Sequence, residues 1–390
     1  MSYAVLELDL ADLPDRLDVD PRHDGAAILL RVAGRIAGQA ILGLPLGDAD
    51  APLRDVLLAH ADCTAWESWL AWRLGVPDDS PPRGAPVTGT IAICTRDRPD
   101  DLATCLEGLM QMAGEAPILV IDNAPRTDES RAVVARHPAV RYVVEPRPGL
   151  DNARNRAFAE TSTDVVAFID DDARPDRHWF AQLLAGFADS TVLAVTGLTL
   201  ASELETEAQI AFQRIGGLSR GFRRREFDAG SCDPFFAWEA GVGANMAVRR
   251  SALDLVGPFD PALDAGSASL AGGDFDLFRR IIGHGYRIVY DPQALNWHRH
   301  RRTLDELAHQ VFSYEAGAFA IVTKTLLKER NPSAATFAAR WLRHHFAARL
   351  RERRAPALPE REVDYTRLQG RGAASGPGRY LRALRQVRHG

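Results

Sequence analysis

The stretch FIDDDARP, Phe168 to Pro175, puts three aspartates directly after an apolar run. Val165 to Ile169 reads as a buried strand, so Asp170, Asp171 and Asp172 stand at its carboxyl end. Three adjacent carboxylates repel one another, and a hard divalent cation, Mg²⁺ or Mn²⁺, offsets that repulsion through oxygen ligands. A solvated acidic turn is the plainer reading of the same residues. Three further polar groups fall in comparable places. TRDRP (Thr95 to Pro99) follows the strand TIAIC, DNAP (Asp122 to Pro125) closes the strand ending ILVID, and PGLDNARNRA (Pro148 to Ala157) follows the strand AVRYVV.

The elements that carry these groups alternate. TIAIC is followed by a helix from Pro99 to Met112 with Leu102, Leu106 and Leu109 on one face. APILVID is followed by a helix around Glu129 to Arg136. AVRYVV precedes a helix from Asp151 to Glu160, and VVAFI ends in the aspartates. Strand and helix in alternation imply βαβ units and a mostly parallel sheet. Ligands of such sheets bind outside the carboxyl ends of the strands, where all four polar groups lie.

Taken in order, TRDRPDDL, ILVIDN, ARNRA, FIDDDARP, GPFDPAL (Gly257 to Leu263), GGDFDLFRRI (Gly272 to Ile281) and VYDPQALNWHRH (Val289 to His300) resemble a family 2 glycosyltransferase of the GT-A fold, over about Thr90 to Arg301. The resemblance implies an α/β fold and a metal-dependent, inverting transfer of a sugar from a nucleotide-diphosphate donor to a hydroxyl acceptor. It implies a metal contact for Asp172 and a ribose contact for Asp171, with Asp170 in the same donor site. It sets the nucleotide base near Thr95, Arg96, Asp97 and Asp122, and Arg154 of ARNRA beside the nucleotide; Arg156 is the weaker arginine. The base that takes the acceptor proton is Asp274, with Asp276 as the alternative. Gly273 departs from the pattern, since a Glu is often found there. His298 approaches the metal or the diphosphate, with His300 as the alternative. In FFAWEAGVGANMAVRRSAL (Phe235 to Leu253) the resemblance places acceptor-side contacts at Trp238 and Glu239, with Gly241, Gly243 and Ala244 leaving room for a ligand.

Composition sets the frame. The chain has 390 residues, 46% hydrophobic and 25% charged, with a net charge of −5, which suits a globular protein of two domains or more and points to no nucleic-acid partner. Cys63, Cys94, Cys105 and Cys232 have neither zinc-site nor disulfide spacing, and a reducing cytoplasm is the expected compartment. The acidic start MSYAVLELDLADLPD is not a signal peptide. No apolar run approaches the roughly 20 residues of a membrane span; Ala316 to Leu327 comes nearest. Residues 1–76 read as a small β-rich domain with one helix, on which Trp66, Trp69 and Trp72 form a core-facing stripe. Residues 77–89 read as a linker, 90–301 as the transferase domain, and 302–390 as a helical basic extension. From Arg301 onward there are 18 Lys and Arg against 8 Asp and Glu, with basic amphipathic stretches at residues 338–354 and 379–390. Such segments suit either a solvated tail or peripheral contact with anionic lipid at the inner face of a membrane. Two rival functions stand beside the transferase. A nucleotidyltransferase normally shows a Gly-rich loop after the first strand, which TRDRPDD lacks. A degenerate transferase acting as a carbohydrate-binding or scaffold protein draws on Gly273.

Overall fold

Two sheets organise the chain. The structure is a computed structural model that describes residues 2–44, 51–76, 87–112, 116–354 and 364–389. The smaller sheet joins β1 (Tyr3–Asp9), β2 (Gly25–Val32) and β3 (Arg35–Gly43), with β2 central, parallel to β1 and antiparallel to β3. Helices α1 (Leu53–Ala59) and α2 (Cys63–Arg73) follow, so this region holds two helices where the sequence suggests one. The break comes from Asp62, whose carboxylate caps α2 by accepting from Thr64 and Ala65 N–H. The tryptophan stripe is also corrected. Trp66 and Trp72 are 49% and 42% exposed, and Trp69 stacks on Trp72 at 5.2 Å. The helix is too weakly two-sided to bury all three, and Ala65 is the residue it buries. Most of the expected linker, residues 77–86, lies outside the described residues.

The larger sheet follows the alternation. In chain order come β4 (Gly89–Thr95), α3 (Pro99–Met110), β5 (Ile118–Asn123), α4 (Glu129–Val134), β6 (Val140–Glu145), α5 (Leu150–Glu160), β7 (Val165–Asp170), β8 (Ala173–Pro175), α6 (Trp179–Ala185), β9 (Val192–Ala201) and α7 (Glu207–Arg214). After them come β10 (Arg225–Phe227), a 3₁₀ turn (Pro234–Ala240), β11 (Asn245–Arg249), α8 (Ala252–Val256), α9 (Gly273–Gly283) and β12 (Arg287–His298). The strand order is β10-β12-β9-β11-β7-β4-β5-β6, with β8 paired to β12. Strands β4, β5, β6, β7, β9 and β12 run the same way, and β11 is inserted against the grain between β7 and β9. The sheet is therefore mixed and mostly parallel, with α3 packed on one face and α5 and α9 on the other.

Register does the positioning. Thr95 pairs with Asp122, and Cys94 with Asp170, so the ends of three strands lie level at one rim, two of them carrying an acid. Strand β8 leaves the aspartates and pairs antiparallel with the end of β12, with Ala173 opposite His298. That pairing carries an imidazole from the far end of the domain to the residue beside Asp172.

Past residue 301 the chain forms α10 (Leu304–Leu327), α11 (Ser333–Arg354) and α12 (Tyr365–His389). Thr303 and Glu306 start α10 with a reciprocal capping box. Helix α10 packs its Ala320 and Ile321 into the core of the larger sheet, together with Tyr380 and Ala383 of α12. The apolar face of the last basic segment is therefore turned inward. Close approach of the two helices uses Gly372 and Gly376, where a Cβ would lie 2.5 Å from Phe312 O and 2.7 Å from Ala316 O. No helix among the described residues is long and apolar enough to cross a membrane.

One buried ion cluster locks α10 to α9. Asp276 is fully buried and accepts from Lys324 Nζ at 2.7 Å, Arg280 Nε at 2.9 Å and Arg279 Nη2 at 3.2 Å. Burial disfavours its charge, but the three cations outweigh burial and hold the carboxyl below the usual range. Asp276 is thus a structural anchor rather than the alternative base. Replacing it by Asn leaves Arg280 without its counter-charge and Lys324 with Asp260 alone, at 3.3 Å, and we expect a loss of about 3–5 kcal/mol in urea unfolding, the magnitude for removing one partner of a buried ion pair. A change below about 1 kcal/mol would show that the cluster is not what holds α10 in place.

Candidate active site

Asp170, Asp172 and His298 converge at the carboxyl rim. One ligand atom from each lies within 4.8 Å of the other two. His298 Nε2 is 3.1 Å from Asp172 Oδ1 and 3.9 Å from Asp170 Oδ2. Burial works against an imidazolium here, yet the two carboxylates outweigh it and raise the His298 pKa. Asp172 is buried too, but His298, Arg98 and Arg301 hold its carboxyl below the usual range. The donor set of two carboxylates and one imidazole fits a divalent cation, which would take the place of the contact between His298 and Asp172. His298 Nδ1 is buried and has no partner among the described residues. His300 lies edge-on to Phe212, with ring centroids 4.9 Å apart, and burial pushes its pKa down to about 3. It is not one of the converging groups.

Asp171 faces the other way. Its Oδ2 accepts from Thr95 Oγ1 at 2.8 Å and its Oδ1 from Arg98 Nη1 at 3.2 Å. Burial, then the neighbouring Asp172, push its carboxyl up to about 7. Arg98 also reaches Asp172 at 3.3 Å. It is the cation of TRDRP that meets the aspartates, although sequence reading singled out Arg96 and Asp97. Arg96 lies 3.8 Å from Asp97, and Asp97 accepts from Arg126 N–H at 2.8 Å in a left-handed conformation (φ 52°). Asp122 is fully buried with one oxygen held by Tyr142 Oη at 2.7 Å and the other without a partner. Burial raises its pKa.

Arg154 is more deeply placed than a nucleotide contact requires. It is 4% exposed, and its Nη1 donates to Asp264 at 2.5 Å and to Asp151 at 3.1 Å. Burial opposes its charge, but Asp264 and Asp151 raise its pKa further. Asp274 adjoins this cluster. Its Oδ2 accepts from Gly243 N–H at 2.6 Å and its Oδ1 from Phe275 N–H at 2.7 Å. Burial, then repulsion from Asp264, raise the Asp274 pKa, with Arg154 in opposition. One guanidinium cannot balance three carboxylates. Asp151, fully buried with Oδ2 unpartnered, is the one pushed well above the usual range, by burial and then by Asp264. Arg156 pairs with Glu160 at 2.6 Å, away from this cluster.

The same cluster explains Gly273. A Cβ on that residue would lie 2.3 Å from both carboxylate oxygens of Asp151, so the side chain missing at 273 has been displaced by one arriving from α5. Asp151 and Asp264 are site residues that the sequence reading missed; LDNARN contains the first in plain view, but nothing local marks it as facing residue 273. The glycines expected to leave room for a ligand are also filled by protein. At Gly241 (φ +139°) a Cβ would meet Thr196 at 2.5 Å, and at Gly243 it would meet Arg154 Nη2 at 2.5 Å. Trp238 is 37% exposed and sits edge-on to Phe275, with centroids 5.6 Å apart, while Glu239 pairs with Arg225 at 3.0 Å.

This arrangement predicts a coupled pair. Gly273→Glu alone should destabilise the fold by driving Asp151 off Arg154, and Asp151→Gly in the same chain should recover much of that loss. A double-mutant cycle in urea unfolding should show a coupling of about 1–3 kcal/mol, and strict additivity would refute the overlap.

Residues 90–256 match Glycosyl transferase family 2. The chain is 33% identical over 213 residues to the pre-mycofactocin glycosyltransferase of Mycobacterium tuberculosis, covering 54% of this chain and 42% of that protein. It is 26% identical over 226 residues to the probable glycosyltransferase YdaM of Bacillus subtilis, covering 54% and 49%. It thus spans less than half the length of these curated relatives. Among solved structures it is similar to a mannosyltransferase of Pyrobaculum calidifontis in complex with GDP-Man and Mn²⁺, at 19% identity and a TM-score of 0.46, covering 82% of this chain and 92% of that one. The aspartates Asp170, Asp171 and Asp172 thus lie within the stretch, residues 90–256, that matches Glycosyl transferase family 2.

Proposed function

We propose that the protein is a metal-dependent, inverting glycosyltransferase that moves a sugar from a nucleotide-diphosphate donor to a hydroxyl acceptor. The observation that carries this reading is the convergence of Asp170, Asp172 and His298 on the rim that also holds Asp274. When bound there, Mg²⁺ or Mn²⁺ supplies positive charge against the donor diphosphate. Thr95 and Asp171 border the nucleoside side, and Asp122 offers a carboxylate oxygen to a base edge. Arg98 and Arg301, both paired with Asp172, add cationic charge on the diphosphate side.

Asp274 is the base in this reading. It takes the proton from the acceptor hydroxyl as that oxygen bonds to the sugar carbon and the nucleoside diphosphate departs with the electron pair of the broken bond. The N–H groups of Gly243 and Phe275 fix its orientation, and each oxygen retains lone-pair capacity for the acceptor. Its raised pKa makes it a stronger proton acceptor than a surface aspartate. Arg154 limits that rise, and Asp151 and Asp264 hold Arg154 in place.

Thermal shift with nucleoside diphosphates tests the donor half. A ligand at 100 times its Kd should stabilise the fold by about 2.7 kcal/mol. We expect a rise in Tm that needs Mn²⁺ and is lost in Asp172→Asn. Asp274→Asn should keep that rise while sugar transfer falls by about 10²–10⁴. The base must be ionised, so the raised pKa places the acid limb of kcat/KM above the usual carboxylate range, with activity climbing as pH increases through it. No nucleotide shift in the wild type, or full transfer by Asp274→Asn, would contradict the proposal.

A further inference from the structure

Beside Asp274 the structure leaves one cation without a counter-charge. Arg220 is half-buried and forms no ion pair among the described residues. Its Nε donates to Trp238 O at 2.9 Å and its Nη1 to Ser219 O at 3.1 Å. Three of its five N–H groups are left over, two of them on Nη2. Glu239, whose charge also acts on Arg220, is engaged by Arg225 at 3.0 Å.

The guanidinium is held in position from three sides. Leu218, two residues before it, packs with Val242, Leu307 and Val311 and so fixes the loop against α10. Gly221, the residue after it, turns at φ +90° and accepts from Tyr290 Oη at 2.6 Å. Trp238, which supplies one of its carbonyls, lies edge-on to Phe275, the neighbour of Asp274. Across from it, one turn beyond Val311, Tyr314 is 46% exposed and accepts from Gln310 Nε2 at 2.6 Å. The charges of Asp274, Arg301 and Arg220 all act on the Tyr314 hydroxyl, so the four groups share one neighbourhood. Burial lowers the pKa of Arg220, in keeping with a cation that lacks a contacting anion.

We propose that the acceptor carries an anionic group, carboxylate or phosphate, that Arg220 binds beside the hydroxyl deprotonated by Asp274. The inference rests on Asp274 being the base, which makes this the acceptor side. A partly desolvated cation lacking a partner is unfavourable in the free protein. A ligand anion relieves that, and the planar fork favours two parallel hydrogen bonds. Tyr314, which accepts from Gln310, has its hydroxyl hydrogen to offer the same anion.

Ligand-observed NMR titration of the full chain tests this with three probes: methyl glucoside, methyl glucuronide and methyl glucoside 6-phosphate. We expect at least one anionic probe to bind tenfold or more tightly than the neutral glycoside. Arg220→Gln should abolish that preference, and Arg220→Lys should keep part of it. Which anion is preferred separates a carboxylate acceptor from a phosphorylated one. Equal binding of all three by the wild type overturns the inference, as does a preference that survives in Arg220→Gln. The Mn²⁺-dependent nucleotide shift, read on the same samples, tests the transferase reading separately. If that shift is present while the three probes bind alike, only the acceptor inference fails.

Discussion

Crowded negative charge at the rim of a mostly parallel sheet is the constraint on which the site depends. The strand ends and the adjoining turns bring Asp170, Asp171, Asp172, Asp151, Asp264 and Asp274 together in surroundings where carboxylates are poorly solvated. Their repulsion is resolved in three different ways. Asp172 keeps its charge because His298, Arg98 and Arg301 face it. At Asp151 burial and then Asp264 raise the pKa well above the usual range, since Arg154 cannot neutralise three acids. Asp170 and Asp172, facing His298, match the preferences of a hard cation. Each resolution sorts a chemically identical side chain into a different role.

The elements farther from the rim act through this balance. Strand β8 is three residues long, yet its pairing with β12 delivers His298 to Asp172. Helix α9 presents Asp274 at its start, and Asp276 two residues later anchors the same helix to Lys324 of α10. The C-terminal helices therefore belong to the support of the site. Ala320 and Ile321 of α10 and Tyr380 and Ala383 of α12 fill the core.

Much of this was legible in the sequence, for physical reasons. Apolar runs of five or six residues followed by polar groups identified β4, β5 and β7, because a buried parallel strand tolerates few polar residues before its end. The ordered set of motifs then gave the family. The missed features depend on tertiary juxtaposition. Nothing near Gly273 reveals that Asp151 fills its side-chain space, and nothing near Arg154 reveals that Asp264 joins Asp151 against it. The tryptophans misled because three-residue spacing implies a shared face but says nothing about whether that face is covered. Helical spacing at residues 379–390 suggested a surface amphipath, whereas α10 supplies the surface that covers it.

The central claim is that Asp170, Asp172 and His298 hold a divalent cation as one unit. Pulsed electron paramagnetic resonance of bound Mn²⁺ examines it directly, because a coordinated imidazole nitrogen modulates the electron spin echo. The account predicts nitrogen modulation in the wild type that disappears in His298→Ala, with Mn²⁺ affinity falling about 10–100-fold. Bound Mn²⁺ with no nitrogen modulation, or a signal unchanged in His298→Ala, would contradict it.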